Sequence, residues 1–315
     1  MKRRTVIQRG LIAGAVLLFG RRHGLARTDE PDFVIRSDVR LVLLDVSVKD
    51  NQGGFITGLS KEDFHVDENG VPQEITVFAD NDIPVTVGIL VDNSRSMAPK
   101  RNDVLAAATA FIEGSNPHDE IFVLNFNETV KRGLPDGVLF SDNLRQLRSA
   151  LSHGFPEGRT ALNDAIVDGL QQLRLGKRDK KTLVLITDGG DNASRHTHRE
   201  TMDAVERSIA TIYAIGLFDN DDPDRNPGML KKLAHITGGQ AYFPDDPEDL
   251  TSVCQAIAKD IRTRYTIGYP PQAKNGGDWR HVHVHVSAPG RTHLVARTRT
   301  SYFYNEESGD PAGGQ

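Results

Sequence analysis

Four short apolar runs, separated by longer stretches of helical periodicity, constrain this chain more than any other feature. Residues 85–91, 121–126, 183–187 and 211–217 are almost continuously apolar, too short for helices and suited to strands covered on both faces. Between and after them, residues 102–113, 142–151, 161–173, 199–208 and 227–237 carry apolar side chains at three- and four-residue steps. Gly238-Gly239 closes the last stretch as a helix C-cap. Such alternation from about 84 to 260 predicts an α/β fold, a doubly wound, mainly parallel, Rossmann-like sheet with helices on both faces. Ligands of such sheets gather at the carboxyl ends of the strands, beside the switch point.

Candidate oxygen ligands cluster in sequence at those ends. The stretch Val91-Asp92-Asn93-Ser94-Arg95-Ser96-Met97 follows the first strand, and Ile186-Thr187-Asp188-Gly189-Gly190-Asp191 follows the third. Between them lies Gly158-Arg159-Thr160-Ala161-Leu162-Asn163-Asp164-Ala165, at a helix start. Asp92, Ser94, Ser96, Thr160 and Asp188 offer only oxygen. A hard cation such as Mg²⁺ or Mn²⁺, with Ca²⁺ as a further candidate, suits that set, and a structural zinc does not. Turns and caps would account for Ser94 and Ser96 alone but leave Thr160 and Asp188 unexplained.

The order and spacing of Asp-x-Ser-x-Ser, the Thr-bearing helix start and Thr-Asp-Gly resemble the von Willebrand factor type A domain with its metal-ion-dependent adhesion site. The resemblance covers roughly 175 residues, a domain's worth. It implies that the hydroxyls of Ser94, Ser96 and Thr160 hold Mg²⁺ directly, while Asp92 and Asp188 hold it directly or through water. Carboxylates set back by one shell leave the ion underneutralised with a position open to an Asp or Glu of a protein partner. Closure around that group would give the neighbouring loops two states.

Charge and the first residues set the surroundings. The 315-residue chain is 38% hydrophobic and 26% charged, long enough for two domains. Residues 1–26 hold six of the 38 basic residues and no acid, so the remainder carries 32 basic against 43 acidic residues, net −11. That balance argues against nucleic acid as a partner. Lys2-Arg3-Arg4-Thr5-Val6-Ile7 resembles a twin-arginine signal. The apolar run 11–20 behind it is too short to span a membrane, and Gly24-Leu25-Ala26 offers a cleavage site. The expectation is export to the periplasm, cell surface or medium, with an uncleaved signal anchor as the only membrane attachment. Cys254 has no second cysteine to pair with and reads as a core thiol of a helix over 247–262.

The flanks read differently. Residues 39–48, a hairpin of 64–68 with 73–78 around Asn69-Gly70, and segments 265–269, 281–286 and 294–299 are strand-like. Neither flank has strands enough for its own core. Residues 36–82 and 262–304 are therefore expected to form one small β-sandwich into which 84–260 is inserted, with 27–35 a linker and 305–315 a disordered tail. The arrangement resembles exported bacterial proteins related to the same type A family.

Three further features invite a chemical reading. His281, His283 and His285 alternate with valines and could hold Zn²⁺ or Ni²⁺, but alternation is the ordinary pattern of a half-exposed strand. The acidic run 219–224 lacks the Gly and distal Glu of a calcium loop and reads as a solvated turn. His196 and His198 follow Asp188 and Asp191 and could act as bases. Two function classes result. The leading one is a noncatalytic, Mg²⁺-dependent protein-binding module for adhesion or envelope assembly. Its rival is a metal-assisted hydrolase of phosphate esters with Asp191 or His196 as base. No second metal motif, nucleophile elbow or phosphate-cradling loop supports the hydrolase. A phosphoacceptor receiver would want carboxylates where Ser94 and Ser96 stand.

Overall fold

Alternation of buried with more exposed side chains marks the two longer strands before residue 80, so each covers one face of a core. In the computed structural model, which describes residues 41–188, 190–218, 225–272 and 278–304, the strands before residue 80 are β1 (Val42–Lys49), β2 (Phe64–Glu68), β3 (Val71–Gln73) and β4 (Val77–Ala79). The export signal (1–26), linker (27–35), acidic turn (219–224) and tail (305–315) fall outside the described residues. Asn69 and Gly70 turn β2 into β3 with φ of 51° and 78°, the left-handed pair that two-residue hairpins favour. The second arm of this hairpin is shorter than expected. It stops at Gln73, and Val77 and Phe78 belong to another sheet, where β4 pairs antiparallel with a C-terminal strand.

The continuous apolar runs become the parallel sheet. The chain runs β5 (Val85–Asp92), a 3₁₀ turn (Arg95–Lys100), α1 (Arg101–Gly114), β6 (Glu120–Phe126), β7 (Val130–Arg132), α2 (Leu144–Leu151), α3 (Leu162–Leu173) and β8 (Lys180–Thr187). It continues through α4 (His198–Arg207), β9 (Thr211–Gly216), α5 (Pro227–Thr237), β10 (Ala241–Tyr242) and α6 (Leu250–Arg262). Strand order is β10-β9-β8-β5-β6-β7, parallel except for β7. β5 is buried at all eight positions, as a strand flanked by β6 and β8 and covered on both faces must be. α1 packs on α2 and α6, while α4 packs on α3 and α5, giving the doubly wound α/β fold. Gly238 caps α5 with φ of 76°, the left-handed conformation that costs glycine nothing.

β8 starts three residues earlier than its apolar run. Polar partners hold the extension: Lys180 Nζ lies 3.2 Å from Asp45, and Lys181 donates to the Gly176 carbonyl at 2.8 Å. Cys254 is fully buried in α6, and burial pushes its thiol up to about 12, which suits a packing role.

Beyond α6, the C-terminal flank supplies β11 (Tyr265–Tyr269), β12 (Asp278–Val286), β13 (Val295–Arg297) and β14 (Ser301–Tyr304). Two four-stranded sheets result, ordered β13-β1-β11-β4 and β14-β12-β2-β3. Side chains from both sheets, among them Leu44, Val46, Phe64, Val66, Ile267 and Val284, share one apolar cluster, so the α/β unit is inserted in a β-sandwich built by both flanks. Val282, Val284 and Val286 face that core while His281, His283 and His285 are exposed.

A buried charge network joins sandwich to insertion. Asp260 of α6 is fully buried and pairs with Arg297 of β13, with the Arg264 guanidinium 3.9 Å away. Arg264 in turn donates to Tyr213 Oη (3.1 Å), the Asp45 carbonyl (3.1 Å) and the Gly238 carbonyl (2.5 Å), touching β9, β1 and the α5 cap at once. Burial alone would raise the Asp260 carboxyl, but the two guanidiniums hold it below the ordinary aspartate value. Replacing one member leaves the others charged and desolvated. Asp260→Ala is therefore expected to lower unfolding stability by about 3–5 kcal/mol in chemical denaturation, and a loss under about 1 kcal/mol would remove the network from its structural role.

Candidate metal centre at the carboxyl edge of the sheet

Asp92 closes β5 and Asp188 follows β8, so neighbouring parallel strands deliver two carboxylates to one edge. Both are 1% exposed. Asp92 is held from two sides, with Oδ1 accepting from Ser94 N at 2.8 Å and Oδ2 from Thr187 Oγ1 at 2.6 Å. The hydroxyls form the next link. Ser94 Oγ and Ser96 Oγ are 3.1 Å apart, and Ser96 Oγ donates to Asp188 Oδ1 at 3.0 Å. Lys100 Nζ stands 3.5 Å from Asp188 Oδ2 and donates to the Leu217 carbonyl at 2.7 Å.

Four of the five sequence-derived positions are thus joined by side-chain and backbone hydrogen bonds. Thr160, 4% exposed, is brought to the same edge by its backbone. Thr160 N donates to Asn192 Oδ1 at 2.9 Å, and the Thr160 carbonyl accepts from Asn192 N and Ala193 N. The loop before it is stitched to the Asp92 loop, Glu157 N to the Asn93 carbonyl at 2.9 Å and Arg95 N to the Gly158 carbonyl at 3.3 Å. Gly158 has φ of 74°, so a side chain there would strain the loop that presents Thr160.

Electrostatics fit a cation. Burial, with a smaller push from the Asp188 charge, outweighs the hydrogen bonds from Thr187 and Ser94 and lifts the Asp92 carboxyl to about 6. A dication beside this pair would offset the desolvation of both carboxylates. The donors are all hard oxygens, and Asp92 is already spoken for by Thr187 and Ser94, which leaves the seryl hydroxyls in front and the carboxylate behind. Among the described residues no group of three or more His, Cys, Asp or Glu side chains converges as a metal site, so neither a thiolate–imidazole centre nor a second carboxylate cluster accompanies it.

Sequence reasoning did not anticipate the latch behind Thr160. Asp164, in the first turn of α3, accepts from His196 N (2.9 Å) and Arg195 N (3.1 Å) and lies 2.6 Å from His196 Nδ1. Asp191 answers from the other side, accepting from Asn163 N (2.7 Å), Ser194 N (3.1 Å) and the Ser194 hydroxyl. The loop after Asp188 is thereby fastened to the helix that Thr160 precedes. This also answers for the bases considered earlier. Asp191 spends its oxygens on three donors, His196 Nδ1 is engaged by Asp164, and His198 opens α4 behind the Thr197–Glu200 capping box. The signal for Asp164 lay within the quoted motif; no pattern pointed to Lys100 or Asn192.

Burial would raise the Asp164 carboxyl, but the surrounding N–H donors from His196 and Arg195 outweigh it and hold it below the ordinary value. Its contribution is complete above the unfolded aspartate pKa of about 4 and is lost as pH falls through the lower folded value. Asp164→Ala is expected to cost about 2 kcal/mol at neutral pH and to speed amide exchange at Arg195 and His196. Wild-type exchange rates at those amides in the variant would dissolve the latch.

Comparison with known proteins follows the same lines. Residues 85–243, half of the chain, match the model of the von Willebrand factor type A domain family. Among curated proteins, none matches the sequence. A solved structure described as von Willebrand factor type A from Catenulispora acidiphila is 15% identical, with a TM-score of 0.52 over 85% of this chain and 74% of that one. That coverage carries the shared fold past residues 85–243 into the flanking sheets. Two lower-scoring structures are the mussel byssus proximal thread matrix protein 1 with a zinc-occupied MIDAS motif and the vWF domain of the type V pili tip protein Mfa5 from Porphyromonas gingivalis. The first is 16% identical, with a TM-score of 0.47 over 57% of this chain and 48% of that one, so this chain spans about half its length. The second is 14% identical, with a TM-score of 0.48 over 57% of this chain and 95% of that one.

Proposed function

Because this chain belongs to the von Willebrand factor type A domain family, we propose that it is a noncatalytic, divalent-metal-dependent protein-binding module, with Asp92, Ser94, Ser96, Thr160 and Asp188 as the metal-holding set. The observation that carries the reading is the hydroxyl pair Ser94–Ser96 lying between a back-bonded Asp92 and Asp188. Hydroxyls in front and carboxylates behind suit Mg²⁺, which tolerates few protein ligands and keeps exchangeable positions. When bound, the ion would supply a Lewis-acidic position for a carboxylate of a protein partner. The chain's own part is to hold its oxygens still, through Thr187 on Asp92 and through the Asn192 and Asp164 contacts around Thr160.

The rim supports a protein partner over a small substrate. Phe155, on the loop between α2 and Thr160, is 82% exposed and lines a shallow cleft with Asn93, Asn127 and Glu157. Aromatic side chains, Phe among them, are enriched at the cores of protein interfaces relative to the rest of the surface. The hydrolase reading is weakened by Asp191 and His196, whose side chains are committed to the loop latch. We further propose the export route and the division into 36–82 plus 262–304 and 84–260 expected from sequence, with adhesion or envelope assembly as the setting. Among the described residues no helix is long and apolar enough to cross a membrane.

Calorimetry with MgCl₂ on the full chain is expected to show one saturable site, weakened about 10–100-fold in Asp92→Ala while circular dichroism stays native. Equal affinity in the two proteins would sink the assignment. Capture from envelope extract is expected to vanish with chelator and to fall in Phe155→Ala without any change in metal affinity. Phosphoester turnover that disappears with Asp92→Ala would promote the hydrolase instead.

A further inference from the structure

At the opposite end of the parallel sheet from the metal centre, a cavity of about 420 Å³ opens where the insertion meets the sandwich. Its insertion side is made by the amino-terminal approaches to β5, β8 and β9, including Ile83, residues 176–181 and Ile209. Its sandwich side is made by Leu43, Asp45, Thr266, Arg299 and Tyr302. That volume is in the range of small-molecule sites.

The lining mixes charged and apolar groups. Lys180 is neutralised by Asp45 at 3.2 Å, and Lys181 donates to the Gly176 carbonyl and to Thr86 Oγ1, beside Glu120. Arg178 donates to the His118 carbonyl at 2.8 Å, and Arg299 is likewise held by carbonyls. Its Nε donates to the Ser301 carbonyl at 2.9 Å and an Nη to the Ser208 carbonyl at 2.6 Å, and no carboxylate among the described residues pairs with it. Burial disfavours its charge, and nearby Tyr269, Tyr302 and Asp45 only partly restore it. A part-buried guanidinium held by carbonyls alone lacks the anion that such a charge normally has. Two more lining groups, the Thr266 hydroxyl and Arg178 Nε, find no hydrogen-bond partner, a condition native structures rarely leave unexplained. Apolar surface is added from both sides, Leu43 from the sandwich and Ile209 from the insertion, 48% and 41% exposed.

We infer that this cavity binds a small amphipathic anion, a carboxylate on an apolar body, with the carboxylate on Arg299 and Thr266 and the body on Leu43 and Ile209. Arg299, with Arg178 on the same lining, calls for an anion, and Leu43 and Ile209 call for a hydrocarbon. The site is independent of the metal reading: its residues lie at the amino ends of the strands, whereas Asp92 and Asp188 lie at the carboxyl ends.

Octanoate titrated into the full chain by calorimetry, with chelator present throughout, tests this. One saturable site is expected, with octanamide at least about tenfold weaker and Arg299→Gln weakened by at least about tenfold. Arg299→Lys should recover part of the loss. Ile209→Glu places a like charge at the exposed rim and serves if the Arg299 variant unfolds; it is expected to weaken octanoate by about tenfold or more with an unchanged melting temperature. Absence of saturable binding, equal affinity for octanamide, or Ile209→Glu binding like wild type would overturn the proposal. Binding that appears only when Mg²⁺ replaces the chelator, and is lost in Asp92→Ala, would overturn it too, by assigning the carboxylate to the metal centre.

Discussion

Everything in this molecule depends on the buried contact between Asp260, Arg264 and Arg297. An insertion of this length could hang from its host by two flexible strands of chain. Instead Arg264, the second residue after α6, fills the junction and is hydrogen-bonded to β9, to β1 and to the cap of α5. Asp260 neutralises it from within the insertion while Arg297 approaches from the sandwich. Buried ion networks contribute little net stability when compared with apolar packing, but they penalise any arrangement that separates their members. The network therefore acts mainly as a register, fixing which face of the α/β unit meets which edge of the sandwich.

With that end fixed, the other end of the sheet is free to present chemistry. Parallel strands point their carboxyl termini one way, so β5 and β8 place Asp92 and the Asp188 loop side by side without any contribution from the loops themselves. What the loops add is restraint. Thr187 on Asp92, Asn192 on Thr160, and the crossed contacts of Asp164 and Asp191 leave the hydroxyl-bearing residues few alternatives. Geometry prepared in advance lowers the cost of binding, whichever ion or partner arrives.

Much of this was readable in the sequence, for identifiable reasons. The apolar runs at 85–91 and 211–217 could only be buried strands, and the doubly wound fold follows from their alternation with helices. The flanking strands were visible where side chains alternate over several residues, as at His281 to Val286. Shorter pieces escaped: β7, β10 and β14 have two to four residues each, below the length at which alternation separates from chance. The hairpin arm was misjudged because Val77 and Phe78 look like a continuation of Gln73 in sequence, whereas the backbone leaves one sheet for the other between them. At the candidate metal centre the five oxygen-bearing positions stood out as a spaced pattern. Lys100 and, at the junction, Arg264 did not, since no local periodicity records a contact across 88 or 219 positions; Asp164 stood inside the motif, but its contact with His196, 32 positions on, left no mark there.

The interleaving of the flanks has a consequence for how the chain reaches its native state. Among the described residues the strands paired with β1 are β11 and β13, and β2 finds its long partner in β12. During synthesis β1 and β2 are made more than two hundred residues before β11 and β12, the long partners that complete them. Closing so long a disordered loop is entropically costly, yet the cost falls once the intervening α/β unit has folded and brought its own two ends together. The insertion is in this sense the clasp of its host. Each sheet of the sandwich takes strands from both flanks, so both ends of the domain lodged within it must be in place for either sheet to be complete.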